Sequence, residues 1–85
     1  QNFPNPFNPA TVIRYALPQD GPVTLRVYNI TGQEVATLVN ETQTTGFHEV
    51  RFDAASNGKA IASGVYFYRL QAGEFSAARK FLLVK

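Results

Sequence analysis

The sequence contains no cysteine and no tryptophan, and His48 is its single histidine. The absence of cysteine excludes a disulfide scaffold and every cysteine-ligated metal site, and a single imidazole excludes the usual histidine-rich metal clusters. No apolar run approaches the roughly 18 residues that a membrane span requires, and no signal-peptide pattern opens the chain. These absences exclude a disulfide-rich framework and predict a domain without membrane insertion.

What the chain does contain is a high share of apolar and aromatic side chains. Of its 85 residues, 45% are hydrophobic and 13% are aromatic, which is enough for a packed core and too much for a disordered segment. This length fits one domain, residues 1–85, without room for a second core. Eight basic and six acidic residues give a net charge of +2, well short of the concentrated basic patch of a nucleic-acid-binding protein. We therefore predict one small domain that binds no nucleic acid.

Prolines concentrate in the N-terminal segment, since three of the five lie within residues 1–9. Proline lacks an amide donor and favours extended backbone at the preceding residue, so a helix is not expected there. Phe3 and Phe7 are apolar anchors of a kind that a flexible linker rarely carries. We predict that residues 1–10 form a proline-rich segment docked on the domain, and that residues 11–85 form a β-sandwich.

Most of the remaining chain alternates apolar and polar side chains with a period of two residues, as half-buried strands do. In the first such segment, Ile13, Tyr15 and Leu17 share one face and Arg14 lies on the other. The predicted strands cover residues 11–17, 23–29, 34–39, 48–53, 65–70 and 75–84. The predicted turns and loops lie at residues 18–22, 31–33, 40–46, 54–64 and 72–73. Short strands at this spacing, without an amphipathic helix, predict an all-β fold: an immunoglobulin-like antiparallel β-sandwich of about seven short strands, with residues 65–70 as a central strand and no disulfide.

Catalytic chemistry would need a nucleophile, a base or paired carboxylates that the fold brings together. His48 is the sole imidazole, its neighbour Glu49 points to the opposite face of the strand, and no serine lies in a nucleophile-elbow glycine pattern. Asp53 and Asn57 supply oxygen atoms near one loop, but the spacing of a calcium loop is absent. Such side chains more often hydrogen-bond the backbone of turns. The sequence therefore predicts no enzyme activity, no metal and no cofactor.

Exposed aromatic rings on a sandwich can stack on sugar rings, and the tyrosines are the candidates for such a site. Tyr66 and Tyr68 share one face with Leu70, which indicates a position in the core. Tyr28 lies on the polar face of its strand and is expected to be exposed alone. Carbohydrate binding therefore stays open as an alternative function that rests on one tyrosine.

Basic residues cluster at the C-terminus, where Arg79, Lys80 and Lys85 flank an apolar run at residues 81–84. Charge on an edge strand blocks sheet-to-sheet aggregation, so protection of an edge is one interpretation. The other is a terminal strand displayed to a partner, because edge strands bind partners by main-chain augmentation. An uncovered edge would also allow a weak homodimer through strand pairing. The residues alone leave these interpretations open.

Four segments carry recognisable motifs. They are Asn-Phe-Pro-Asn-Pro-Phe-Asn-Pro-Ala-Thr from residue 2, Val-Tyr-Asn-Ile-Thr-Gly-Gln-Glu-Val from residue 27, Ser-Gly-Val-Tyr-Phe-Tyr-Arg-Leu from residue 63 and Lys-Phe-Leu-Leu-Val-Lys from residue 80. In series, they resemble the type A C-terminal sorting domains of the type IX secretion system. Each motif alone is short, but their order and their spread over essentially all of residues 1–85 make the resemblance specific.

The resemblance implies a non-catalytic address tag on an enzyme or adhesin of a Bacteroidetes-type Gram-negative bacterium. In this family, the type IX translocon recognises the domain once the cargo has reached the periplasm and carries the cargo across the outer membrane, to the cell surface or the medium. A sortase-like cysteine protease then removes the tag, with the cut expected at or before Gln1, and often joins the cargo to lipopolysaccharide. The implied partners are the translocon, the protease and the N-terminally fused cargo.

We hypothesise that the machinery reads the last strand and the turn that leads into residues 65–70. The hypothesised recognition residues are Gly64, Tyr66, Lys80, Leu82, Val84 and Lys85. One segment is also similar to another family, because the connection at residues 54–64 resembles an insert in the immunoglobulin-like domain of flagellar hook-capping proteins. The alternative to a sorting signal is therefore a carbohydrate-binding or structural immunoglobulin-like module of a larger extracellular protein.

Overall fold

The computed structural model describes residues 10–53 and 61–83, which form six β-strands. The strands are β1 (Ala10–Leu17), β2 (Gly21–Tyr28), β3 (Glu34–Gln43), β4 (Gly46–Asp53), β5 (Gly64–Ala72) and β6 (Phe75–Leu83). Within these two ranges, the chain has no helix of the length and hydropathy needed to cross a membrane.

The six strands form two antiparallel sheets. The smaller sheet pairs β1 with β4, and the larger sheet has the order β3-β2-β5-β6. This arrangement confirms the predicted all-β sandwich and the central position of β5, although the described residues contain six strands where about seven were expected. The predicted docked segment at residues 1–10 lies outside the described residues except for Ala10, as does most of the connection at residues 54–64.

The core follows from the alternation of apolar side chains along the strands. Six buried side chains meet at one end of the sandwich, namely Val27, Phe52, Ile61, Tyr66, Phe81 and Leu83. Six more meet at the other end, namely Ile13, Leu17, Val23, Leu25, Val39 and Leu70. Phe52 joins the two sheets, because it comes from β4 and its ring meets the ring of Phe81 of β6 edge-on at a centroid distance of 6.0 Å. In the strands other than β3, the intervening side chains face away from this core.

The predicted loop at residues 40–46 is wrong, because β3 continues to Gln43 and β4 begins at Gly46. The threonine-rich segment pairs with the first residues of β2, and β-branched threonine is well suited to an exposed edge strand. Thr44 and Thr45 alone separate β3 from β4, so the chain crosses here from the larger sheet to the smaller one. Thr45 holds this crossing in place, since its amide donates to Asp20 Oδ1 at 2.7 Å and its hydroxyl donates to the carbonyl of Leu17 at 2.9 Å.

Two irregularities in β3 were not predicted. The register between β2 and β3 shifts after Leu25 and again after Val27, so that Leu38 and Val35 have no residue opposite them. Such β-bulges insert one extra residue and turn the strand locally. Here they allow Leu38 and Val35 both to pack against the core, which strict alternation along β3 would not permit.

Candidate functional site

The outer face of the larger sheet carries a group of exposed apolar side chains that we call the outer-sheet patch. It consists of Tyr28, Ile30, Val65, Phe67 and Leu82. Tyr28 lies opposite Phe67 across β2 and β5, and Val65 lies opposite Leu82 across β5 and β6. Ile30 is 75% exposed and Leu82 is 56% exposed. The patch therefore spans three strands of a sheet whose other face is the core.

A shallow cavity of about 380 Å³ lies at one side of this patch. Its lining includes the rings of Tyr28 and Phe67, the tip residue Ile30, and Arg69. Tyr28 is half-buried and has an aromatic neighbour across the strand pair, so the expectation that it is exposed alone is wrong. The expectation for the other two tyrosines of this region is confirmed, because Tyr66 is buried in the core and Tyr68 packs against it.

The loop that follows β2 is held by one side chain, Asn29. Its Oδ1 accepts from the amides of Thr31 and Gln33, both at 3.0 Å, and from the Thr31 hydroxyl at 2.8 Å. Its Nδ2 donates to Gln33 Oε1 at 3.0 Å. Gly32 completes the turn with a φ of +88°, in agreement with the hairpin loop predicted at residues 31–33. This network fixes the loop that presents Ile30, and the sequence signal for it is Asn-Ile-Thr-Gly from residue 29, with an asparagine two residues before a threonine and three before a glycine.

Cations border the outer-sheet patch. Arg26 and Arg69 lie directly opposite each other across β2 and β5, a juxtaposition of like charges that destabilises a sheet. Arg26 is offset by Glu34, whose Oε1 is 3.5 Å from its Nε. Arg69 Nε makes a long contact, 3.4 Å, with the hydroxyl of Ser76. Among the described residues, neither Arg69 nor Lys80 has a carboxylate within ion-pair distance.

The hypothesised recognition residues fall into two groups in the structure. Lys80 and Leu82 are exposed on the outer face of β6, where Lys80 lies opposite Phe67. Gly64 and Tyr66 belong to the inner face of β5: Tyr66 is 7% exposed, and its hydroxyl donates to the carbonyl of Ala62 at 2.6 Å. Val84 and Lys85 lie outside the described residues.

The last described strand is an edge strand, as one interpretation of the C-terminal charges required. β6 pairs with β5 from Phe75, opposite Ala72, to Leu83, opposite Gly64. It has no neighbour on its other side among the strands that the structure describes. Arg79 and Lys80 point to opposite faces of this strand, so only Lys80 belongs to the border of the outer-sheet patch.

The single histidine, His48, lies in the smaller sheet, where it contacts Thr44 and Tyr15. His48 Nε2 lies 2.7 Å from the carbonyl oxygen of Thr44, and its ring stacks on that of Tyr15 at a centroid distance of 5.4 Å. The Tyr15 hydroxyl donates to Gln43 Oε1, and burial of the ring raises the pKa of Tyr15 above its ordinary value. Glu49 lies on the other face of β4, paired with Arg14 at 2.8 Å, as the alternation predicted.

Comparison with known proteins gives one family. The family model described as the secretion system C-terminal sorting domain matches residues 1–85. No curated protein and no solved structure matches the chain. The family match therefore covers both sheets and all of the outer-sheet patch.

Proposed function

The chain belongs to the C-terminal sorting domains of the type IX secretion system, and from this premise we propose how it acts. As a type IX sorting signal, it marks a cargo protein for export to the cell surface or medium of a Gram-negative bacterium. The finer proposal is that the cargo is fused to its N-terminal side, passes from the periplasm through the outer-membrane translocon, and is then released from the tag by a sortase-like cysteine protease. The observation that carries this proposal is the family match over residues 1–85.

Recognition is proposed to depend on side chains of β6 that are accessible in the folded domain. Lys80 and Leu82 meet this condition, because both are exposed on the outer face. Gly64 and Tyr66 lie on the inner face of β5, so their proposed contribution is indirect, and for Tyr66 it rests on packing at a centroid distance of 6.0 Å from Phe81 of β6. The proposed contribution of Val84 and Lys85 rests on the sequence alone.

We also propose that the domain is a substrate of its processing enzyme and has no catalytic activity. Domains of this family act as sorting signals. The arrangement of His48 supports the proposal, since its Nε2 lies against the carbonyl of Thr44 and Glu49 faces away from it. A general base must reach the proton that it abstracts, and His48 instead stacks on Tyr15.

The proposed function is tested by fusing residues 1–85 to the C-terminus of a reporter that carries a periplasmic signal peptide. In a bacterium with an active type IX system, we expect the reporter at the cell surface or in the medium, and in a translocon-deficient strain we expect it to stay in the periplasm. Retention of a folded fusion in the periplasm of the active strain would contradict the proposal.

The contribution of β6 is tested by Lys80→Ala in the same fusion, with Arg79→Ala as the matched control. Both residues are exposed cations on the same strand, but they lie on opposite faces. We expect Lys80→Ala to reduce export and Arg79→Ala to leave it near the native level. Both variants should melt close to the native domain, because surface substitutions usually change the stability by no more than about 0.5 kcal/mol. Equal losses of export in the two variants would argue against recognition of the outer face.

One observation favours a second candidate function, carbohydrate binding. Tyr28 and Phe67 lie side by side at a shallow cavity that also includes Arg69, and sugar sites commonly combine aromatic faces with a few polar groups. Titration of the purified domain with soluble polysaccharides, followed by intrinsic tyrosine fluorescence, would test this candidate. Saturable binding that is lost in Tyr28→Ala would support it.

A further inference from the structure

The outer-sheet patch has the composition of a protein-docking surface. We propose that it receives an export component of the type IX machinery through a complementary surface, one with apolar side chains bordered by carboxylates. This inference rests on the proposed function, and it goes beyond it by naming the contact face and the chemistry of the partner. The hypothesised strand residues Lys80 and Leu82 would form only one side of that face.

The apolar part of the face is continuous across three strands. Phe67 of β5 lies between Tyr28 of β2 and Lys80 of β6. Val65 of β5 and Leu82 of β6 lie opposite each other and extend the apolar surface along these two strands. Contiguous exposed apolar patches on a small domain mark interaction sites, whereas scattered single residues do not. The centre of such a patch, here Phe67, is where aromatic anchors contribute most to binding.

The charges around the patch indicate the character of the partner. Arg69 and Lys80 flank Phe67, and neither has a carboxylate partner among the described residues. Glu34, an acidic residue at the end of the neighbouring β3, is already paired with Arg26. Within residues 10–53 and 61–83, the exposed face therefore presents two cations without a carboxylate partner beside apolar area. Complementary carboxylates on a partner would steer its approach and fix its register.

The outer face of the smaller sheet differs from the outer-sheet patch in its apolar side chains and in its charges. Phe47 is 92% exposed, but it lies opposite the small side chain of Ala16. The charged pair next along the strands, Arg14 and Glu49, is closed at 2.8 Å. That face thus presents a lone aromatic ring and a satisfied ion pair. It provides a matched control, since Phe47 is the same residue type as Phe67 and is even more exposed.

The patch is also rigid before any partner arrives. The Asn29 hydrogen bonds hold the loop that presents Ile30. Phe67 and Leu82 lie on β5 and β6, and the inner faces of these strands pack in the core. A preformed surface avoids much of the entropy cost of ordering side chains and loops on association. A folded tag with this face can therefore bind without rearrangement.

The decisive experiment compares Phe67→Ser with Phe47→Ser in the reporter fusion. We expect Phe67→Ser to lower the rate of export by about tenfold or more, because truncation of a central aromatic anchor typically has an effect of that size. Phe47→Ser should stay within about twofold of the native rate. The double variant, Arg69→Glu with Lys80→Glu, reverses the charges beside Phe67 and keeps the apolar side chains of the patch. It should also lower the rate of export, and it tests the surface independently if Phe67→Ser folds poorly. The melting temperature of each purified variant establishes that it is folded.

The outcomes separate the inference from the function on which it rests. If the native fusion is not exported, both the proposed function and the docking surface are overturned. If the native fusion is exported and the folded Phe67 and charge-reversed variants are exported equally well, the docking surface alone is overturned. It is also overturned if the native domain is a dimer by light scattering and Phe67→Ser makes it monomeric, or if Phe67→Ser abolishes polysaccharide binding while export is unchanged. The face would then serve a second copy or a glycan.

Discussion

Tyr66 offers a direct test of whether a motif residue supports the fold or is read by a partner. Its ring is buried in the core cluster with Val27, Phe52 and Phe81, and only its hydroxyl makes a specific polar contact, the 2.6 Å hydrogen bond to the carbonyl of Ala62. Tyr66→Phe removes this hydroxyl and keeps the ring. The substitution thus isolates one hydrogen bond at the entry to β5.

The size of the effect follows from that single bond. A neutral intramolecular hydrogen bond contributes about 0.5–1.5 kcal/mol net to stability. Ala62 is exposed, so its carbonyl can be solvated by water in the variant and the larger penalty of an unsatisfied buried group does not apply. In a domain of this size, about 1 kcal/mol lowers the melting temperature by roughly 4–8 °C. We therefore expect Tyr66→Phe to melt roughly 2–12 °C below the native domain.

The assay combines thermal unfolding, followed by circular dichroism, with export of the reporter fusion well below both melting temperatures. We expect export to be unchanged, because the outer face does not include Tyr66. Phe52→Ala is the strongly destabilised reference: it should cost about 3–5 kcal/mol, a large part of the roughly 4–13 kcal/mol expected for a domain of this length. If Tyr66→Phe keeps its melting temperature but loses export, the hydroxyl is read directly and the reasoning is refuted.

Two further predictions concern the loop after β2 and the stability at high pH. Asn29→Ala should lower the free energy of unfolding by about 1–2 kcal/mol, because it removes the hydrogen bonds to Oδ1 in an exposed loop and each such bond contributes about 0.5–1.5 kcal/mol net. It should also speed amide exchange at Thr31 and Gln33. Asn29→Asp, which keeps the accepting oxygen, should lose less, and equal losses would contradict the assigned role of Oδ1. The pKa of Tyr15 is raised from 10.0 by burial of its side chain, and the negative charge of Glu41 adds to the rise. Because the folded domain holds this proton more tightly than the unfolded chain, the stabilisation should be complete below about pH 10 and lost as the pH rises through the folded pKa. Urea unfolding across this range should show a steeper decline for the native domain than for Tyr15→Phe, and identical slopes would refute the assignment.

Along β1, β2 and β5, alternation with a period of two residues was sufficient to predict which side chains face the core. Ile13 and Leu17 are buried and Arg14 is exposed, as a period of two residues requires. The same reasoning placed Tyr66 in the core, and the high aromatic content of residues 65–70 placed β5 at the centre of its sheet. These features are local, since each depends only on residues adjacent in sequence and on the need to cover one apolar face.

The features that sequence reasoning missed depend on which strands become neighbours. Tyr28 and Phe67 are far apart along the chain, and only the β2–β5 register makes them an aromatic pair. The burial of Leu38 likewise requires a bulge in β3, because Leu38 has no residue opposite it in β2. The sequence of β3 alone does not show where this extra residue falls. The threonine-rich segment after Val39 was misassigned because its polarity signalled a loop, whereas its pairing with β2 is made by the backbone.

The hairpin of β5 and β6 shows how stability and recognition can occupy the same strands. Tyr66 and Phe81 are opposite each other on the inner face, and the next pair, Phe67 and Lys80, is exposed on the outer face. Substitutions on one face thus leave the packing on the other largely intact, since alternate residues of a strand point to opposite sides. With the proposed docking surface, the sorting domain carries its contact face on its own sheet. A sheet with one face in the core and the other rigidly displayed presents this contact face without any contribution from the cargo.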